Sequence, residues 1–307
     1  MRRLYGRAGT WLNADMKTLQ QMGEHAAIAA LTANLKAVGD DCAVLPLDAN
    51  FDLVLTTDPL ISGVHFTPDT DPEAIGWKAA ARVLSDFAAM GADPQYLLIN
   101  LVAPPEQDFQ TLEKIYAGVS KVRKLFDVDL VGGDLAQGPT LELHVFGVGR
   151  VPKGTALLRS GARPGDILYV TGPLGNSFES GKHLNFMPRV KEGRLLRESG
   201  IVTSMMDISD GLATDLRHIL KASGVGADLD SAKVPMFGTL EQALYDGEDF
   251  ELLFTAPPDA VFPDLGKEKQ AAMQWLSRIG KITDQSGVLT LDGAVLNRKA
   301  FEHFRIG

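Results

Sequence analysis

A chain of 307 residues, 45% of them hydrophobic and 22% charged, has room for two ordinary domains with cores of their own and is too apolar to be disordered. Its formal charge of −9 argues against nucleic acid as the main partner, because a phosphate backbone wants clustered Lys and Arg. The single cysteine, Cys42, rules out an intrachain disulfide and a Cys-based zinc site and fits a reducing cytoplasm, while no apolar run reaches the roughly 18 residues of a membrane span.

The first residues, Met1-Arg2-Arg3-Leu4, are basic but precede no apolar stretch, so no secretory signal is expected and residues 1–21 read as an extension of uncertain role. A helical pattern near Gly23 to Leu35 opens the part expected to fold. Val38-Gly39-Asp40-Asp41 then sets two acids between a glycine turn and a short strand; an Asx turn and a ligand site are both open there. The strand Leu53 to Asp58 ends in Thr56, Thr57 and Asp58, the oxygen-rich set that a hard cation prefers. Gly63-Val64-His65-Phe66 follows, with a lone histidine of the kind more often structural than catalytic.

Thr70 and Glu73 have capping-box spacing around Pro72, predicting a helix that begins at Thr70 and runs to about Met90 on the stripe Ile75, Ala79, Val83, Phe87. Asp86 lies beside that stripe and needs a partner, which a metal would supply. A strand from Tyr96 to Val102, a helix from about Glu106 to Phe126 and a strand at Asp129 to Val131 lead to Gly132-Gly133-Asp134, where glycines allow backbone to approach a ligand and Asp134 is expected at the strand's end. Leu141 to Val151 reads as a long strand, and Pro152-Lys153-Gly154 as a boundary between domains 22–151 and 152–307.

In the second half, Ile167 to Gly172 is a strand. The stretch Gly175 to Lys182 is no nucleotide P-loop: five residues separate its glycines instead of four, and His183 follows the lysine where Ser or Thr is required. Met205-Met206 leads into Asp207-Ile208-Ser209-Asp210-Gly211 before a helix from Leu212 to about Lys221. There Ser209 or Asp210 serves as helix cap, or the pair of acids binds metal or phosphate. Gly247-Glu248-Asp249 is an acidic turn entering a core strand; a helix near Glu268 to Leu276 and strands near Arg278 to Ile282 and Val288 to Leu291 follow.

Asp41, Asp58, Asp86, Asp134, Asp207 and Asp210 share one trait, a place beside turns or element ends. If several converge, their repulsion calls for divalent cations, and cations so held attract a nucleoside triphosphate. Phosphoryl transfer is the natural chemistry. The sequence indicates no base-and-nucleophile arrangement, which is no handicap when the acceptor is itself an anionic phosphate.

The ordered motifs Gly39-Asp40-Asp41, Thr56-Thr57-Asp58, Gly63-Val64-His65-Phe66, Leu84 to Ala92, Gly132-Gly133-Asp134, Arg159-Ser160-Gly161-Ala162, Asp207 to Gly211 and Gly247 to Leu252 resemble those of the thiamine-monophosphate kinases, in the aminoimidazole ribonucleotide synthetase-like superfamily. The resemblance implies an α/β fold (α+β type) with two mixed-sheet domains, the N-terminal ones pairing in a homodimer. It implies a cytoplasmic enzyme that converts ATP and thiamine monophosphate to ADP and thiamine diphosphate with several Mg²⁺ ions. Metal would be held by Asp41, Thr56, Thr57, Asp58, Asp86, Asp134, Asp207 and Asp210, with Asp134 and Asp207 closest to catalysis. ATP would meet Tyr116, Gly133, Asp134, Arg159 and Ser209; thiamine phosphate would meet His65, Glu248 and Phe301. The chain departs from the family pattern at Leu135, where many relatives carry Thr, and in a shortened segment from Leu174 to Pro188. Two other readings stay open: another ATP-dependent activity of the superfamily, such as a synthetase-like ligase, and a nucleotide-binding scaffold without turnover.

Overall fold

The computed structural model describes residues 18–35, 37–262 and 276–298. The chain divides into an N-terminal unit and a unit spanning residues 37–300. The described part of the first holds helices α1 (Leu19–Met22) and α2 (Glu24–Thr32), and α1 opens on a capping box between Thr18 and Gln21. Residues 1–17, most of the helix expected near 268–276, and Phe301 fall outside the described residues.

The second unit starts with β1 (Ala43–Pro46), β2 (Phe51–Ile61), α3 (Pro72–Ala89), β3 (Asp93–Ala103), α4 (Phe109–Phe126), β4 (Asp129–Gln137) and β5 (Glu142–Pro152). These strands form a five-stranded sheet in the order β1-β2-β5-β3-β4, antiparallel except where β3 pairs with β4. Two strands outrun their expected ends. Thr56, Thr57 and Asp58 sit inside β2, and Asp134 inside β4, because pairing with β5 and β3 continues past the polar residues. Pro59 is tolerated there because β1 stops pairing at Leu55, leaving that edge of β2 open.

Helix α3 is the spine of this unit. Its cap is Asp71 instead of Thr70: Asp71 accepts from the Glu73 N–H at 3.4 Å, while Thr70 Oγ1 accepts from the Thr67 N–H at 3.1 Å, inside the preceding turn. The expected stripe of Ile75, Ala79, Val83 and Phe87 is buried, and so are Ala80, Ala81, Leu84, Ala88 and Ala89 on the other sides. Small residues let neighbours close in. A Cβ on Gly76 would lie 1.8 Å from the Ile115 carbonyl oxygen of α4, and one on Gly118 would lie 2.0 Å from that of Glu73. Phe87 fills the space over Gly147 and Gly149 of β5, a burial that contributes about 1.5–3 kcal/mol.

The chain continues through β6 (Ile167–Val170), α5 (Lys182–Asn185), α6 (Val190–Ser199), β7 (Ser204–Asp207), α7 (Leu212–Ser223), β8 (Gly226–Leu229), α8 (Leu240–Tyr245), β9 (Leu252–Ala256), β10 (Ser277–Thr283), β11 (Leu289–Leu291) and β12 (Ala294–Val295). The second sheet runs β12-β11-β8-β10-β6-β9-β7. One apolar cluster carries Phe87 of α3 and its C-cap Met90 together with Tyr169, Met205 and Phe254 of this sheet, so the edge strand β7 is seated against α3. Among the described residues no helix is long and apolar enough to cross a membrane.

Candidate functional site

Within the buried helix α3, Lys78, Arg82, Ser85 and Asp86 recur at helical spacing and so form a single polar stripe. Each finds a partner that the sequence had marked or that lies beside one. Arg82 donates to Asp58 Oδ1 at 2.9 Å and to the Pro59 carbonyl at 2.9 Å. Thr56 Oγ1 donates to Asp86 Oδ2, and Ser85 Oγ to Asp207 Oδ2, both at 2.5 Å. The strand period puts Thr56 and Asp58 on the face of β2 that looks toward α3.

Asp41 joins from the turn before β1. Its Oδ1 accepts from Arg159 Nη2 at 2.7 Å, while Asp40 Oδ1 accepts from the Arg159 backbone N–H at 2.8 Å. Asp41 Oδ2 and Arg159 Nε are buried and bond to no protein group. Four carboxylates thus feel one another. Burial, then the charges of Asp207, Asp58 and Asp41, push Asp86 well above the usual carboxylate range. Burial and Asp41 push Asp207 up to about 7, against the Ser85 hydrogen bond and Arg159. Burial raises Asp58 in spite of Arg82, and raises Asp41 in spite of Arg159.

This donor set fits Mg²⁺: carboxylate and hydroxyl oxygens, mutual repulsion that a cation would relieve, and a buried carboxylate oxygen without a partner. Among the described residues no three acids or histidines close into a cage by themselves. Mg²⁺ does not need one, since it takes one or two carboxylates and completes its shell with water and phosphate oxygens.

Other expected residues stand elsewhere. Asp134 lies on the exposed edge strand β4, in line with Asn100, His144 and Pro59 across the sheet. It therefore shares a sheet face with Thr57, opposite to the face that carries Thr56 and Asp58. Its Oδ1 accepts from the Leu135 N–H at 2.9 Å. Gly133 allows close packing, since a Cβ there would meet the Ile99 carbonyl oxygen at 1.9 Å. Tyr116 is exposed on α4.

The cap reading of Ser209 and Asp210 is corrected. The N-cap of α7 is Gly211, and the helix's own Asp215 reaches back, its Oδ2 accepting from the Ser209 and Asp210 N–H groups at 3.0 Å each. Burial and the nearby Asp210 charge hold Asp215 well above the usual range. Sequence reading missed Asp215. An acid four positions after Gly211, in the first turn of an amphipathic helix, is the available signal.

It also missed Lys78, through which His65 and Glu248 meet. Lys78 Nζ donates to the His65 carbonyl at 2.7 Å and to Glu248 Oε2 at 2.7 Å. His65 Nδ1 in turn accepts from the Ile61 N–H at 3.0 Å. The rejected P-loop lysine, Lys182, ties its loop to the turn before β9, donating to the Pro173 carbonyl at 2.8 Å and to Asp249 Oδ1 at 3.2 Å.

The chain matches two family models, AIR synthase related protein, N-terminal domain, over residues 39–151, and the corresponding C-terminal domain over residues 163–292. The thiamine-monophosphate kinase of Escherichia coli is 40% identical over 253 residues, 72% of this chain and 76% of that one. That of Synechococcus elongatus is 34% identical over 327 residues, 94% of this chain and 98% of that one. The structure of AaThiL complexed with AMPPCP and TMP matches with a TM-score of 0.85 at 31% identity, covering 94% of this chain and 100% of that one.

Proposed function

The chain belongs to the thiamine-monophosphate kinase family, and on that premise we propose that it transfers the γ-phosphoryl group of ATP to the phosphate of thiamine monophosphate, giving thiamine diphosphate and ADP. The observation that carries this is the match along nearly the whole chain to an enzyme complexed with AMPPCP, an analogue of ATP, and TMP. The buried carboxylates gathered along α3 agree with it.

Asp41, Thr56, Asp58, Asp86 and Asp207, gathered along α3, would hold Mg²⁺, with Asp207 nearest the reacting phosphates and Asp210 joining from the segment before α7; Thr57 and Asp134, on the other face of the sheet, are not brought to that cluster. Bound Mg²⁺ would neutralise charge on the phosphate oxygens. Arg159 suits the ATP phosphates, because its Nε lies buried without a protein partner beside Asp41. The Ser209 segment, set by Asp215, and the Gly133 backbone would line the nucleotide with Tyr116. His65 and Glu248 would face thiamine monophosphate. The acceptor oxygen is already anionic, so positioning does the work a general base does elsewhere.

We further infer two domains meeting near residue 152 and a cytoplasmic homodimer built on the first sheet. The exposed apolar residues Tyr96, Val131 and Phe146 of that sheet support the pairing. Incubation with ATP, Mg²⁺ and thiamine monophosphate followed by chromatography should yield thiamine diphosphate and ADP in equal amounts; no product above blank refutes the assignment. Light scattering on a sizing column should give twice the 33.1 kDa chain mass, and a monomer refutes the homodimer.

A further inference from the structure

Lys78 is among the largest fully buried side chains of the protein's described residues, and an ammonium group in such a place must have every proton satisfied. Its Nζ bonds the His65 carbonyl at 2.7 Å, His183 Nδ1 at 2.8 Å and Glu248 Oε2 at 2.7 Å, which accounts for all three. Those partners come from three separate segments: the loop after β2, helix α5 and the turn before β9. Glu248 has φ of +54°, a left-handed backbone that a glutamate adopts only where its surroundings impose it. His183 Nδ1 also lies 3.1 Å from Glu248 Oε2, so both partners converge on one carboxylate oxygen. The other, Oε1, is left for a ligand, and the side chain is 25% exposed.

We propose that Lys78 is a positioning residue for the acceptor, fixing the Glu248 carboxylate and the His65 segment in the arrangement that receives the thiamine end of the substrate. This rests on the reading that His65 and Glu248 face thiamine monophosphate. Lys78 acts from behind, since its buried ammonium has no proton left for a ligand. Against burial, the adjoining His183 ring and the charge of Lys78 bring the Glu248 carboxyl down to about 2, so the acid stands ionised throughout the working range.

The test is steady-state kinetics of the full chain with each substrate varied in turn, for Lys78→Met, Glu248→Gln and the double variant. Losing a charge-assisted hydrogen bond on the acceptor side raises KM for thiamine monophosphate by about tenfold to a hundredfold in Lys78→Met. KM for ATP should stay within about twofold, because the interaction serves only the acceptor. The double variant has no unpaired buried carboxylate, so it keeps the test open if Lys78→Met folds poorly. Its KM for thiamine monophosphate should rise by less than the product of the two single effects, since Lys78 acts in large part through Glu248.

Equal effects on both KM values, or effects of the two substitutions that multiply, would overturn the positioning role. Wild-type KM in Glu248→Gln would overturn the placement of the acceptor on which it rests. A raised KM in Glu248→Gln with an unchanged KM in Lys78→Met would refute only the role of Lys78.

Discussion

Replacing Asp207 by Asn should make the metal-free protein more stable and the enzyme inactive. Asp207 ends β7, is 4% exposed, and has its carboxyl pushed from 3.8 to about 7 by burial and by Asp41. An acid whose folded value is raised favours the folded state only while protonated. The penalty is absent below about pH 4, grows as pH rises toward 7, and is complete above. At about 1.4 kcal/mol per decade the full penalty is about 4 kcal/mol, and because Asp41, Asp58 and Asp86 share the repulsion, about 2–4 kcal/mol belongs to this residue. Asn carries no charge and can still accept from Ser85 Oγ. Calorimetry in chelator at pH 8 should therefore show Tm raised by about 5–10 °C, with the gain gone at pH 4. Adding Mg²⁺ with ATP should stabilise wild type by mass action and the variant much less. Turnover should fall by about a thousandfold or more. A variant that melts at or below wild type in chelator at pH 8 refutes the repulsive cluster, and retained turnover removes Asp207 from the site.

Asp71→Ala should cost about 1 kcal/mol by uncapping α3, lowering Tm by about 2–4 °C, while Thr70→Ala costs at most about half as much; the reverse order would restore Thr70 as the cap. Asp215→Ala removes the oxygen that anchors the Ser209 and Asp210 amides and should raise KM for ATP by about tenfold, with KM for thiamine monophosphate unchanged. Equal changes in both constants would deny Asp215 a role on the nucleotide side.

The sequence by itself determined the elements whose signals are local. The α3 stripe, the strand that became β5 and the mixture of strands and helices in both halves follow from apolar spacing, which reports what each segment buries. Motif order carried the family as well. Cap positions slipped by a residue or more, at Asp71 and at Gly211, because several residues near each helix start could accept the same N–H groups.

What tertiary structure decided is which polar residues meet. Thr56, Thr57 and Asp58 looked alike in a row, yet pairing with β5 sends Thr56 and Asp58 toward α3 and turns Thr57 away with Asp134. Lys78 reads as one charge in a helix until three distant segments close over it. Periodicity records the faces an element has, whereas register and packing choose what each face touches, and the carboxylate cluster exists only once α3 has drawn β2, β7 and the Asp41 turn around its polar stripe.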